Sequence, residues 1–141
     1  NTLKFGGEST FLEADAVLWE KTMGANLKST FFVTQAAIPL MKARPKPAIV
    51  NIGYTESGDA LFDSSQSGIV GLTKSLAREF SPKFRINCVN VEKRELQEGE
   101  QLDTELFRPK SGIVADDVAR AVVYLLSSEA VGLNGQIITV K

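Results

Sequence analysis

The sequence contains no histidine. That excludes a Ser-His-Asp or Cys-His nucleophile and any imidazole metal site. It has a single cysteine, Cys88, so neither an intrachain disulfide nor a CxxC motif can form, and nothing calls for an oxidising compartment. No Gly-rich loop of the GxGxxG or GxxxGxG form occurs. Gly53 to Gly58 has Walker-like spacing, but Asp59 stands where Lys is needed. No apolar run approaches the roughly 18 residues of a membrane span, and no basic-then-apolar leader is visible. Charge of one sign is also missing: 16 Lys and Arg face 17 Asp and Glu, for a net charge of −1. Such a chain has no global pull on nucleic acid or an acidic membrane, and a cytoplasmic location is expected.

What is present suits an ordinary folded domain. Apolar residues make up 43% of the 141 residues and charged ones 23%, which argues against disorder or a coiled-coil rod. The first residue is Asn1, which reads as processing, excision or truncation on the N-terminal side.

Periodicity then orders the chain. Residues 1–13 read as loop. From about Asp15 to Met41 the pattern is helical, with Leu27, Phe31, Thr34, Ile38 and Met41 on one face. Trp19 and Met23 extend that face backwards. Phe32, Ala36 and Leu40 form a second apolar line, so this helix is expected to be covered on two sides, and Pro39 to kink or end it. Ala48 to Gly53 is a short, nearly continuous apolar run, the signature of a parallel strand covered on both faces. A helix follows from about Asp63 to Phe80, with Ile69, Leu72, Thr73, Leu76 and Phe80 on one face. Gly68 and Gly71 weaken it by roughly 1 kcal/mol each relative to Ala, which points to the close approach of another backbone. Arg85 to Val91 is the next strand, where Cys88 is a buried filler. Residues 92–112 are polar and read as a solvated loop or surface helix. A third helix spans about Asp116 to Ser127, burying Val118, Ala121, Val122 and Leu125, and Gln136 to Val140 is a last strand. Alternating helices and strands argue an α/β fold with a small parallel sheet whose edges need cover.

These blocks resemble the short-chain dehydrogenase/reductase family, in the manner of a 3-oxoacyl-ACP reductase. Trp19 ahead of Asn26-Leu27 is similar to that family's long helix. AIVNIG is similar to its fifth strand, SGIVGLTKSLAREFSP to the helix that carries the active site, and RINCVNV to its sixth strand. DDVARAVVYLLSSEAVGLNGQIITV is similar to its C-terminal helix and last strand. The resemblance implies a three-layer Rossmann-type fold of which residues 1–141 are the later half, as one partial domain without the Gly-rich dinucleotide-binding half.

Family members move a hydride between NAD(P) and a carbonyl or alcohol. The resemblance implies four catalytic positions. Asn26 falls at the Asn that orders a relay water, Tyr54 at the Ser that steadies the substrate oxygen, Phe62 at the Tyr that exchanges the proton, and Gln66 at the Lys that lowers the pKa of that Tyr. The loop between Tyr54 and Phe62 is a few residues shorter than usual. Only Asn26 keeps the family's residue type. Phe62 has no exchangeable proton and Gln66 no charge. Lys74 lies several helical turns beyond Phe62 and reads as a surface lysine. Family cofactor contacts fall at Asn1, Ile52 and Val91, with Glu92 where a glycine would approach the nicotinamide. No cofactor is therefore expected for this chain alone, NAD(P) being implied by the family only, and no metal.

Three functions follow as expectations. The first is a catalytically silent subunit that forms a homo- or hetero-oligomer through helices 15–41 and 63–80, as the family's four-helix interface implies. The second is a fragment of a longer NAD(P)-dependent oxidoreductase. The third is new chemistry in the loop after strand 48–53, using Tyr54, Glu56, Ser57 or Asp63 near Asn26. Asn26 itself admits two roles: the relay water, or an amide bonding backbone carbonyls at a helix irregularity.

Overall fold

Each strand of this chain is followed or preceded by a helix long enough to cross back over the sheet. The computed structural model describes residues 11–55, 57–92 and 113–141. A single 3-10 turn at Phe11–Glu13 leads into α1, Ala16–Met23, whose N-terminus is capped by Asp15: its carboxylate accepts from the Leu18 N–H at 2.8 Å. The helix then widens into a π turn at Gly24–Lys28 and resumes as α2, Ser29–Met41. Pro39 neither breaks nor ends α2 at once. The helix runs two residues past it, forgoing only the bond that an N–H at position 39 would give to the Gln35 carbonyl.

The strands are β1, Ala48–Tyr54, β2, Arg85–Val91, and β3, Ile137–Val140. They lie in the order β1-β2-β3, all parallel, with Ala48 opposite Arg85 and Cys88 opposite Ile137. The helix α3, Ala60–Glu79, joins the first pair, and α4, Ile113–Leu126, joins the second. α3 starts earlier than its apolar pattern suggests. Asp59 caps it, accepting from the N–H groups of Leu61 and Phe62 at 3.0 and 2.9 Å, and this draws Ala60–Phe62 into the first turn.

The sheet is covered on both faces. On one, Ile38 of α2 and Ala77 of α3 pack with Phe84 and Ile86, joined by Ile49 and Phe80. On the other, Leu125 of α4 and Ala130 pack with Val89, joined by Val50, Val122 and Ile138. This is the three-layer α/β arrangement expected. Arg85 ties the second layer to β2. Its buried guanidinium donates to the carbonyls of Leu125, Ala130 and Ser127 at 2.7, 2.9 and 3.0 Å, so it caps the C-terminal end of α4. The Asn134 side chain bridges the Ile86 N–H and the Ala77 carbonyl, closing the turn before β3.

Several expectations change. Thr34 and Ile38 are buried, but Phe31, placed on the same face, is 43% exposed, and Trp19 is 50% exposed. The π turn supplies the reason for Trp19, since its extra residue rotates the earlier turns relative to α2. The second line of Phe32, Ala36 and Leu40 is exposed in the single chain. Gly68 is indeed closely approached, but by a side chain. A Cβ there would stand 2.6 Å from Leu27 Cδ2, whereas Gly71 has nothing within 4 Å. Residues 1–10 and the polar stretch 93–112 lie outside the described residues.

Candidate functional site

The carboxyl ends of β1 and β2 and the first half of α3 enclose a cleft of about 530 Å³. Ligands of parallel α/β sheets bind at this end. Tyr54, Asp63, Gln66, Ser67, Asn90 and Glu92 are among its walls. Backbone space for the cleft floor is made by Gly53, where a Cβ would meet Asn90 Oδ1 at 2.6 Å. Below it, Cys88 is fully buried. Burial pushes its thiol from 9.0 up to about 11, against hydrogen bonds from Gly53 and Thr73 that pull it down. It is an inert filler, as its strand position suggested.

Three of the four residues at the implied catalytic positions come together directly. Gln66, 2% exposed, accepts a hydrogen bond through Oε1 from the Tyr54 N–H at 3.1 Å. The Phe62 ring is buried, with its centroid 6.3 Å from that of Tyr54. Tyr54 itself is 38% exposed and lines the cleft.

Asn26 joins them through a residue that the sequence reading did not single out. Its Nδ2 donates to Ser65 Oγ at 3.0 Å, and Gln66 Nε2 donates to the same oxygen at 3.2 Å. Ser65 Oγ in turn donates to the Phe62 carbonyl at 2.6 Å. The result is a continuous chain: Asn26 and Gln66 meet at Ser65, and Gln66 continues to the backbone of Tyr54. Ser65 could have been found from its spacing. It shares the face of Phe62, Ile69 and Thr73, all of them buried, and a polar residue on a buried helix face needs partners.

Asn26 does sit at a helix irregularity, the π turn, and its backbone carbonyl accepts from Ser29 Oγ and Thr30 Oγ1. Its side chain, however, bonds Ser65 rather than backbone carbonyls. Its Oδ1 is buried with no partner among the described residues, as is Thr22 Oγ1 one turn earlier.

The described carboxylates beside the loop after β1, Asp59 and Asp63, are occupied. Asp63 accepts from Ser57 N–H, Ser57 Oγ and Gly58 N–H, at 2.8, 2.9 and 3.1 Å. Gly58 makes the turn with φ of +82°. Ser57 and Asp63, two members of the third expectation, are thus spent on each other. Glu56 lies outside the described residues. Glu92 pairs with Lys141 at 3.5 Å in a partly exposed contact, worth little in water. Among the described residues no three Cys, Asp or Glu side chains gather as metal ligands, and no helix is long and apolar enough to cross a membrane.

The residues of this half do not fit a nicotinamide dinucleotide in the way the resemblance implies. Both ends of the Gln66 amide are already bonded, and among the described residues no cation lines the cleft while two carboxylates do. Of the implied cofactor positions, Ile52 is 44% exposed on the edge strand. The Val91 carbonyl accepts from Thr55 N–H, and the Glu92 N–H is taken by the Val140 carbonyl. Asn1 lies outside the described residues.

Comparison with known proteins places this arrangement. A family model described as enoyl-(acyl carrier protein) reductase matches residues 2–141. The chain belongs to the short-chain dehydrogenase/reductase family. It is 34% identical to the D-xylose 1-dehydrogenase of Caulobacter vibrioides over 126 residues, 79% of this chain and 51% of that protein. It is 30% identical to the 3-oxoacyl-acyl-carrier-protein reductase of Thermotoga maritima, covering 85% of this chain and 54% of that protein. Its fold is similar to the ligand-free aldohexose dehydrogenase of Thermoplasma acidophilum, with a TM-score of 0.75 at 23% identity, over 93% of this chain and 60% of that one. A short-chain dehydrogenase/reductase structure from Burkholderia xenovorans gives a TM-score of 0.80 at 24% identity, over 100% of this chain and 60% of that one. The chain spans about half the length of the curated relatives named here.

Proposed function

We propose that this chain is the later half of a short-chain dehydrogenase/reductase whose proton-transfer centre has become a fixed structural knot, and that it works as a non-catalytic, oligomer-forming subunit. The observation that carries this reading is the hydrogen-bond chain from Asn26 through Ser65 and Gln66 to the Tyr54 backbone. A proton-exchanging site needs a titratable group near the reacting oxygen and a neighbour that tunes it. Phe62 offers no proton, and Gln66 spends its amide on Ser65 and the Tyr54 N–H. The exposed line of Phe32, Val33 and Leu40 along α2 supports a partner helix there. That partner is a second copy of this chain or a related one, packed on helices 15–41 and 63–80. Neither nucleic acid nor a membrane is required, and the cytoplasm suits a protein whose one thiol stays reduced.

The test is a titration of the chain with NADH and NADPH, read by cofactor fluorescence and by melting temperature, together with a light-scattering mass. No change in either signal and a mass of two protomers or more fit the proposal. Tight dinucleotide binding would sink the non-catalytic half of it, and a single-protomer mass the subunit half.

A second reading is favoured by the cleft itself, which stands open at the carboxyl ends of the strands, and by the greater length of the relatives. In that reading the chain is part of a longer NAD(P)-dependent oxidoreductase acting on a carbonyl or alcohol. Turnover of NAD(P)H by the longer protein, lost on deleting residues 48–91, would establish it.

A further inference from the structure

The cleft makes no use of Lys74. In the structure Lys74 and Arg78 stand one turn apart on α3, both exposed, and both line a second cavity of about 500 Å³. Ser81, Asn134 and Gly135 complete its walls. It lies at the opposite end of the sheet from the cleft. Ser81 follows the C-terminal end of α3, and the Gly135 N–H is bonded to the carbonyl of Ile86, near the start of β2.

Its chemistry is the reverse of the cleft's. Among the described residues no carboxylate lines it, whereas Asp63 and Glu92 line the cleft. Lys74 and Arg78 belong to neither of the ion pairs Arg120–Asp117 and Lys141–Glu92. Like charges one helical turn apart repel each other. Asn134 is already committed, donating to the Ala77 carbonyl and accepting from the Ile86 N–H. The charged and hydroxyl donors facing a ligand are the Lys74 ammonium, the Arg78 guanidinium and the Ser81 hydroxyl.

We infer that this cavity is an oxyanion site that takes a phosphate dianion, either free or carried on a small molecule. Two cations match the charge of a phosphate near neutral pH. The guanidinium fork matches two phosphate oxygens, and the ammonium and hydroxyl serve the others. The inference rests on neither reading of the cleft, and it requires the partner proposed above to leave the Lys74–Arg78 side of α3 uncovered.

The experiment is a calorimetric titration of the chain with inorganic phosphate, at ionic strength held constant with chloride. Saturable binding at one site is expected. Lys74→Met and Arg78→Met should each weaken it by about tenfold or more. Arg78→Lys should weaken it less, because the charge remains and the fork is lost. Lys21→Met, on α1, should leave it unchanged. All three positions are exposed, so the four variants keep their fold. Glycerol phosphate separates the sources: binding as tight as inorganic phosphate supports a carried group, and binding of the free ion alone supports the ion. A response that does not saturate, acetate binding as well as phosphate, or equal weakening by Lys21→Met would overturn the inference.

Discussion

Gln66 Oε1 accepts the Tyr54 N–H at 3.1 Å, joining the middle of α3's buried face to the last residue of β1. A lysine at this position would have no acceptor to offer that N–H. Gln66→Lys therefore removes a bond and places an ammonium where only 2% of the residue is exposed. The charged form is strongly disfavoured there. The variant should lose on the order of 2–4 kcal/mol and show no gain in NADH binding. A urea midpoint equal to the parent's would mean that the cleft still has room for the lysine of the family.

Ser65 holds the knot together. Removing its hydroxyl in Ser65→Ala leaves Asn26 Nδ2 and Gln66 Nε2 buried without their acceptor. Each stranded donor costs about 1–3 kcal/mol. Ser64→Ala is the control. It is exposed, and its hydroxyl bonds only the Ala60 carbonyl within the helix, so it should change stability by no more than about 0.5 kcal/mol. Urea unfolding of the two variants should separate them clearly; equal midpoints would make Ser65 a bystander.

Most of the scaffold was legible because apolar periodicity is a local signal. The span of β2 is the one read from its residues, Arg85–Val91, and the inward face of α4 reads true at Leu125. Element starts were less legible. Asp59 pulls α3 forward by side-chain capping, which an apolar pattern does not record. The π turn was hidden for the same reason: one extra residue shifts Trp19 outward without altering the composition of the helix. At the site, the residue types at the implied positions were plain, but their connection was not. Asn26 reaches Ser65, and through it Gln66, across 39 positions of sequence, and such a contact exists only once α1, the π turn and α3 are packed.

Cys88 gives the fold a pH dependence at its alkaline end. Burial raises its pKa from 9.0 to about 11. A raised folded-state pKa means that the native state holds the proton more tightly than the unfolded state. The stabilisation is therefore complete below about pH 9 and is lost as pH climbs through about 11, by on the order of 2–3 kcal/mol. Urea midpoints measured from pH 8 to 11 should fall, and Cys88→Ala should flatten that slope. The native thiol should also resist iodoacetamide at neutral pH and react once urea unfolds the chain. Rapid labelling of the folded protein would contradict its burial.

Gly68 and Gly71 separate two reasons for a glycine within one helix. Alanine in a helix is favoured over glycine by roughly 1 kcal/mol. At Gly71 nothing lies within 4 Å of the added carbon, so Gly71→Ala should gain most of that amount. At Gly68 the same carbon would meet Leu27 at Cδ2, Cδ1 and Cγ, at 2.6, 3.1 and 3.3 Å. Rotating the end of Leu27 cannot relieve a contact that reaches its branch carbon. Overpacking of this kind costs about 1–3 kcal/mol, which offsets or exceeds the helix gain. Gly68→Ala should therefore be neutral or destabilising, and the two variants should differ by at least about 1 kcal/mol in urea unfolding. The pair thus measures how tightly α3 is seated on the π turn, the same seating that brings Asn26 to Ser65. Equal stabilisation by both substitutions would show that Leu27 yields freely and that this helix contact is loose.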